Sequence, residues 1–170
     1  MKLDNNEIDA IKKLLSSIKN QKNPVLKTLF NKINHDSLSY TMYIDGAADL
    51  HSKTSGIGGV IYKEGKEIFT FSEYLDDSTN NEAEYSALIY GIKSLLKLSI
   101  LNAVIYSDSE LVVKQINGDY KVKNDRMKKL CSNAQSLLSN FHKWSLVHVL
   151  RDKNTVADRL ATNGRLKKNL

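Results

Sequence analysis

Acidic residues stand at several points along this chain where carboxylates could act together. They are Asp45 in YIDGAA, the pair Glu82 and Glu84 in STNNEAEYSALIYGI, Asp108 in YSDSEL and Asp158 in NTVADRL. Asp45 closes a strand-like run and is followed by small residues, and Asp108 closes another just before a helical run. In open α/β sheets, ligands gather at the carboxyl ends of strands, above all where the strand order reverses. Two carboxylates at such ends can therefore meet one on an early helix and one on the last helix. Carboxylates packed together repel, which raises the pKa of at least one of them. A divalent cation with oxygen ligands removes that repulsion, and Mg²⁺ suits carboxylates combined with phosphate oxygens. Two such ions about 4 Å apart can activate water and stabilise a leaving oxygen in phosphodiester hydrolysis. Each acid also has a plain structural role open to it. Asp45 before Gly46 can be a turn residue, Asp108 can cap the next helix, and Asp158 can pair with an arginine.

The elements that must position these acids follow from the hydrophobic pattern. Residues 4–34 read as a helical hairpin. DNNE has capping-box spacing, Ile8, Ile11, Leu14, Leu15 and Ile18 share one face, and Pro24 restarts a second apolar stripe from Val25 to Ile33. Residues 34–39 read as a linker. From Tyr40 the period changes: YTMYID (40–45) is strand-like, and GIGGVIYKEGKEIFTFSEY (56–74) reads as two strands joined at KEGK. A helix is expected from about Asn81 to Leu98, with Ala83, Leu88, Ile92, Leu95 and Leu96 on its apolar face. AVIYSD (103–108) reads as a buried strand, 109–116 and 126–140 as helices, WSLVHVL (144–150) as a strand, and 154–166 as a last helix capped by Asn154. The fold class expected is α/β with a mixed sheet: a helical extension over 1–36 and a main domain over 40–166.

Composition bounds the partners. Hydrophobic residues make up 41% and charged residues 26%, ordinary values for a globular protein. No apolar run approaches the roughly 20 residues that cross a bilayer, and the first 35 residues hold no signal-type apolar core. A cytoplasmic protein with no membrane partner is the expectation, and the single Cys131, read as a buried thiol, fits a reducing compartment. The net charge is +6, and 21 of the 25 basic residues are lysines. Residues 114–129 and 159–170 carry +4 each and residues 1–36 carry +3, which leaves the rest of the chain acidic. Basic segments around an acidic middle suit a polyanion held at its edges over a carboxylate cluster.

YIDGAA, TNNEAEYSAL, YSDSELVVKQINGDYKVKN and RDKNTVADRLA occur in the order and approximate spacing of type 1 ribonuclease H. The chain resembles that family from about Tyr40 to Thr162. The resemblance implies a five-stranded mixed sheet with flanking helices, and endonucleolytic cleavage of the RNA strand of RNA–DNA hybrids with two Mg²⁺ or Mn²⁺ ions. Carried over by motif, the catalytic acids and metal ligands are Asp45, Glu84, Asp108 and Asp158. The family's glutamate lies four positions after the first paired asparagine, Asn80 here, which selects Glu84. Glu82 lies about 200° away around the helix and is left to stabilise its positive N-terminus. Asp45 would bridge both ions, and Asp158 would help hold the ion that activates water.

Substrate contacts are also implied by the resemblance. Thr79, Asn80 and Asn81 would read the RNA strand in the minor groove, since amides both donate to and accept from a ribose 2′-OH. The backbone at Gly46 and Ala47 would approach the RNA strand, where larger residues would interfere, and Ser109 would contact substrate as well. Lys121 and Lys123, in the basic segment 121–129, would follow the DNA-strand phosphates. Tyr120 reads as a packing residue rather than a stacking platform. The chain departs from the family pattern at three places. DLHSKTSG after Asp45 lacks a Pro-Gly, Glu110 replaces a frequent glutamine, and VLRDKNTVAD lacks the histidine loop found in many bacterial members. Arg151 and Asn154 occupy that last segment as candidate substrate contacts, and His148 reads as structural. The extension is expected to pack in cis, giving a monomer, with dimerisation through it as the second possibility. Two other functions are compatible with these residues: a nuclease acting also on double-stranded RNA or ribonucleotide junctions, and a non-catalytic nucleic-acid-binding module. The intact set of acids argues against the last.

Overall fold

The computed structural model describes residues 40–167 and, before them, only Glu7, Ala10 and Ile11, which are helical. The helical hairpin expected over 4–34 otherwise lies outside the described residues. The chain divides into two units, Met1–Ser39 and Tyr40–Leu170. The second holds a five-stranded sheet flanked by four helices.

Three strands come first: β1 (Tyr40–Asp49), β2 (Thr54–Lys63) and β3 (Lys66–Leu75). Helix α1 (Asn80–Lys97) and strand β4 (Asn102–Ser107) follow, then α2 (Glu110–Ile116), α3 (Asp125–Leu138) and β5 (Lys143–His148). A short 3₁₀ turn (Arg151–Lys153) leads into α4 (Thr155–Leu166). The sheet order is β3-β2-β1-β4-β5. β1 pairs antiparallel with β2 and parallel with β4, so it is the boundary between a meander and a parallel half. The turn between β2 and β3 has Glu64 and Gly65 at φ 50° and 78°, the conformation of a two-residue type I′ hairpin.

β1 is longer than its composition suggests. Its ladder with β2 continues past Asp45, through Gly46↔Ile57, to Asp49↔Thr54. The small residues after Asp45 therefore extend a strand instead of ending one, and DLHSKTSG forms a hairpin end without needing Pro-Gly. β5 is shorter than expected, because pairing with β4 stops at Ser107↔His148. His148, read as structural from its strand pattern, is the last residue of β5 and is exposed.

The core lies between one face of the sheet and α1. Met42, Ile44, Ile61 and Ile105 from the strands and Tyr85, Leu88, Ile92 and Leu95 from the helix are all fully buried. Ala83 and Ile92 are buried as expected from the apolar stripe, whereas Leu96 is only partly so. Cys131 is buried at 6% exposure, as read from the sequence. On the opposite face, α4 lies directly on β2. A Cβ at Gly56 would sit 2.1 Å from the backbone N of Arg165, and one at Gly58 2.1 Å from that of Ala161. Glycine at these two positions permits helix and strand to touch backbone to backbone.

Candidate active site

The parallel ladder between β1 and β4 registers Ile44 with Ser107 and extends no further. Asp45 and Asp108 are the next residues on each chain, so both carboxylates stand where the two strands part. Asp108 does not cap α2: Ser109 takes that place, its hydroxyl accepting from Val112 N–H at 3.4 Å.

Glu84 reaches the same gap from α1. Its helix begins one residue earlier than expected, with Thr79 as N-cap. The Thr79 hydroxyl accepts from Glu82 N–H at 3.3 Å, and Glu82 Oε2 accepts from Thr79 N–H at 2.9 Å, a reciprocal capping box. Donation to its carboxylate by Thr79 N–H, then by the Thr79 hydroxyl at 2.8 Å, and then the nearby Arg126 hold the Glu82 carboxyl below its usual range. Glu82 is thereby spent on the helix end. Glu84, two positions on, is buried at 6% exposure, and its Oε2 accepts from Gly46 N–H at 3.2 Å. Gly46 makes this approach possible, because a Cβ there would lie 2.3 Å from the backbone of Ala83 and Glu84. The approach of α1 by itself requires a residue without a Cβ at 46.

One oxygen from each of Asp45, Glu84 and Asp108 lies within 4.8 Å of the other two. Burial first, then the Asp108 and Asp158 charges, push the Asp45 carboxyl up to about 8, with Arg151 opposing. Burial, then Asp45 and Asp108, push Glu84 up to about 9, opposed by the Gly46 N–H and Arg151. Three mutually repelling hard oxygen donors, two of them on buried residues, fit a divalent cation of the Mg²⁺ or Mn²⁺ class. Asp158 is outside this triad but lines the same cavity, of about 580 Å³. Its Oδ1 is paired with Arg151 Nη2 at 2.5 Å.

Gly46, Ala47, Asn80 and Arg151 line that cavity beside the acids. Thr79, Asn81, Lys121 and Lys123 are exposed and lie outside its lining, as does the partly buried Ser109. Asn154 departs furthest from expectation. It is 1% exposed and makes no side-chain cap bond to α4. Its Nδ2 instead donates inward, to Ile44 O at 2.9 Å and Asp108 Oδ1 at 2.7 Å. A buried amide cannot serve as the surface contact to substrate that the sequence suggested. Tyr120 is 48% exposed, and Lys114 Nζ sits 4.7 Å from its ring centroid.

His51 and Arg165 line the cavity and were not singled out by sequence. Arg165 Nη1 bonds Asp49 Oδ2 at 2.9 Å, joining α4 to the β1–β2 hairpin. A signal for Arg165 existed, since positions 158, 162 and 165 share one helical face. None existed for His51, whose place depends on the hairpin.

A family model described as reverse transcriptase-like matches residues 43–164. A bifunctional protein of Mycobacterium tuberculosis is 36% identical over 121 residues, 70% of this chain and 33% of the relative. The solved N-terminal RNase H domain of that protein superposes with TM-score 0.70 at 33% identity, covering 74% of this chain and 98% of the domain. The chain belongs to the type 1 ribonuclease H family. Ribonuclease HI of Halobacterium salinarum is 31% identical over 120 residues, 70% of this chain and 60% of that relative. LC11-RNase H1, isolated from compost and solved in complex with an RNA/DNA hybrid, gives TM-score 0.72 at 31% identity, with coverage of 77% and 99%. The chain thus spans about a third of the mycobacterial ribonuclease H relative and three-fifths of the halobacterial one. It nevertheless matches nearly the whole of each solved ribonuclease H domain.

Proposed function

We propose that the protein is an endoribonuclease that hydrolyses the RNA strand of RNA–DNA hybrids, leaving 5′-phosphate and 3′-hydroxyl ends. The observation that carries this reading is the meeting of Asp45, Glu84 and Asp108 within 4.8 Å at the parting of β1 and β4. The substrate class is supported by LC11-RNase H1, whose solved complex contains an RNA/DNA hybrid. In this reading Asp45, Glu84 and Asp108 would hold a divalent ion, Mg²⁺ or Mn²⁺, and Asp158 would help to hold a second. Such ions, when bound, supply a water nucleophile at neutral pH and charge neutralisation at the leaving oxygen.

The rest is the work of the chain's own groups. Gly46 N–H fixes one oxygen of Glu84, so that carboxylate is oriented before any substrate arrives. Asn80, at the cavity, offers an amide donor and acceptor to a ribose 2′-OH, the group that distinguishes RNA from DNA. Arg151 places a fixed positive charge among the acids and eases the approach of a phosphate. The exposed Lys121 and Lys123 present charge for the second strand's phosphates, a contribution that weakens as salt rises.

The test is an end-labelled RNA strand annealed to DNA, with single-stranded RNA, duplex RNA and duplex DNA as controls. Wild type and Asp108→Asn are run with Mg²⁺, with Mn²⁺ and with chelator. Metal-dependent cutting of the hybrid alone, lost in the variant, is the expected result. Cutting of duplex RNA as well would make the protein a broader nuclease. Tight hybrid binding without cutting under every metal condition would replace the enzyme with a binding module.

A further inference from the structure

Asn154 stands at the N-cap of α4 without acting as a cap. Its backbone is at φ −111° and ψ 17°, and its side chain makes no bond to the first turn of its own helix. Asparagine is among the best N-caps because its side-chain oxygen accepts from that turn. Here the Oδ1 that would do so is buried with no partner among the described residues. Native folds rarely leave a buried polar atom in this state unless another requirement holds the side chain. The requirement is visible at the other end of the amide, where Nδ2 donates to two acceptors on two other elements: Ile44 O in β1 and Asp108 Oδ1 just beyond β4. Both partners are acceptors, so only the nitrogen of the amide can face them.

We infer that Asn154 is a positioning residue, which holds Asp108 against its repulsion from Asp45 and leaves Asp108 Oδ2 for a divalent cation. This rests on the metal-dependent reading above. The two bonds act at one place, the point where the β1–β4 ladder stops after Ile44↔Ser107. One of them secures the carbonyl next to Asp45, and the other secures Asp108. A single side chain from α4 thus sets the spacing of the two strand-borne carboxylates. An aspartate at 154 has the same shape but no donor, and would present a further carboxylate within hydrogen-bonding distance of Asp108. A change in such a supporting partner costs about tenfold to a hundredfold in metal affinity.

The experiment is Mn²⁺ titration by calorimetry on wild type, Asn154→Asp, Asn154→Ser and Asp45→Asn, with thermal unfolding of each. Wild type binds Mn²⁺, Asp45→Asn does not, and both Asn154 variants bind at least about tenfold more weakly while still melting cooperatively. Failure of wild type to bind Mn²⁺ overturns the metal reading and this inference together. Wild-type binding with unchanged affinity in a folded Asn154 variant overturns this inference alone, even where the melting temperature falls. A second measurement needs no folded Asn154 variant. The Asn154 side-chain amide of ¹⁵N-labelled wild type is followed by NMR during Mg²⁺ titration, and again in Asp108→Asn. Shifts saturating with Mg²⁺ in wild type and absent in the variant support the positioning role. An amide indifferent to Mg²⁺ in wild type that does bind the ion overturns it.

Discussion

Gly46 is the residue on which Glu84 depends. It forms part of a strand, donates its N–H to Glu84 Oε2, and leaves room for the α1 backbone at 2.3 Å from where its Cβ would be. Backbone cannot move aside as a flexible side chain does, so Gly46→Ala must push α1 outward and carry Glu84 with it. The expected loss is about 1 to 3 kcal/mol of stability, with hybrid cleavage falling more steeply than the folded fraction. Urea unfolding beside a cleavage rate at saturating Mg²⁺ measures both, and unchanged values of the two would reject the account. The choice between Glu82 and Glu84 shows what was legible at this scale. The 3.6-residue period separates their directions around the helix, but only the paired asparagines of the family motif selected Glu84. The capping box then explains why the other glutamate is also present.

At the scale of the element, α1 is started by the Thr79–Glu82 box and anchored through Glu82 to Arg126 at 3.4 Å. Thr79→Ala removes the cap and should lower stability by about 1 kcal/mol. If Thr79 acts only as a cap, KM for the hybrid stays at its wild-type value once the protein is folded. A raised KM with normal kcat at low temperature would instead make Thr79 a substrate contact, as the family resemblance implied. The existence and order of the main domain's elements were readable from periodicity, because long amphipathic helices and alternating strands announce themselves. Their ends were not. β1 runs on to Asp49 because β2 offers it a partner, and β5 stops at His148 because β4 has no more residues to pair. The ends of strands are set by neighbours that a local pattern does not contain.

The acids impose a cost on the whole molecule. Asp45 and Glu84 titrate at about 8 and about 9 in the folded protein, against 3.8 and 4.5 for the free groups. Between those limits the folded chain keeps protons that the unfolded chain has released. Their contribution to stability is therefore fully present below about pH 4 and is lost as pH rises through about 8 to 9. Metal-free protein should melt at progressively lower temperature from about pH 6 to about pH 9, and Mg²⁺ should flatten the decline by binding the ionised form. Melting curves in chelator and in Mg²⁺, for wild type and Asp45→Asn, check this. A wild-type decline in chelator no steeper than that of Asp45→Asn would mean that the repulsion is relieved in some other way.

By itself, the sequence determined which side chains could do chemistry and on which kinds of element they ride. Asp45, Asp108 and Asp158 stand in recognisable motifs, and helical and strand periods are written in successive residues. Tertiary structure alone decided which of them meet. Asp45, Glu84 and Asp108 converge because β1 and β4 part after Ile44 and Ser107, and because Gly46 admits α1. Asp158 sits against Arg151, and Asn154 turns from its own helix to hold Asp108. Apart from the Arg151–Asp158 pair, 7 residues apart, these relations join residues far apart in the chain: 38 positions for Gly46 with Glu84 and 110 for Asn154 with Ile44. The physical reason is that hydrogen bonding and repulsion depend on distance in space, whereas a motif records only distance along the chain.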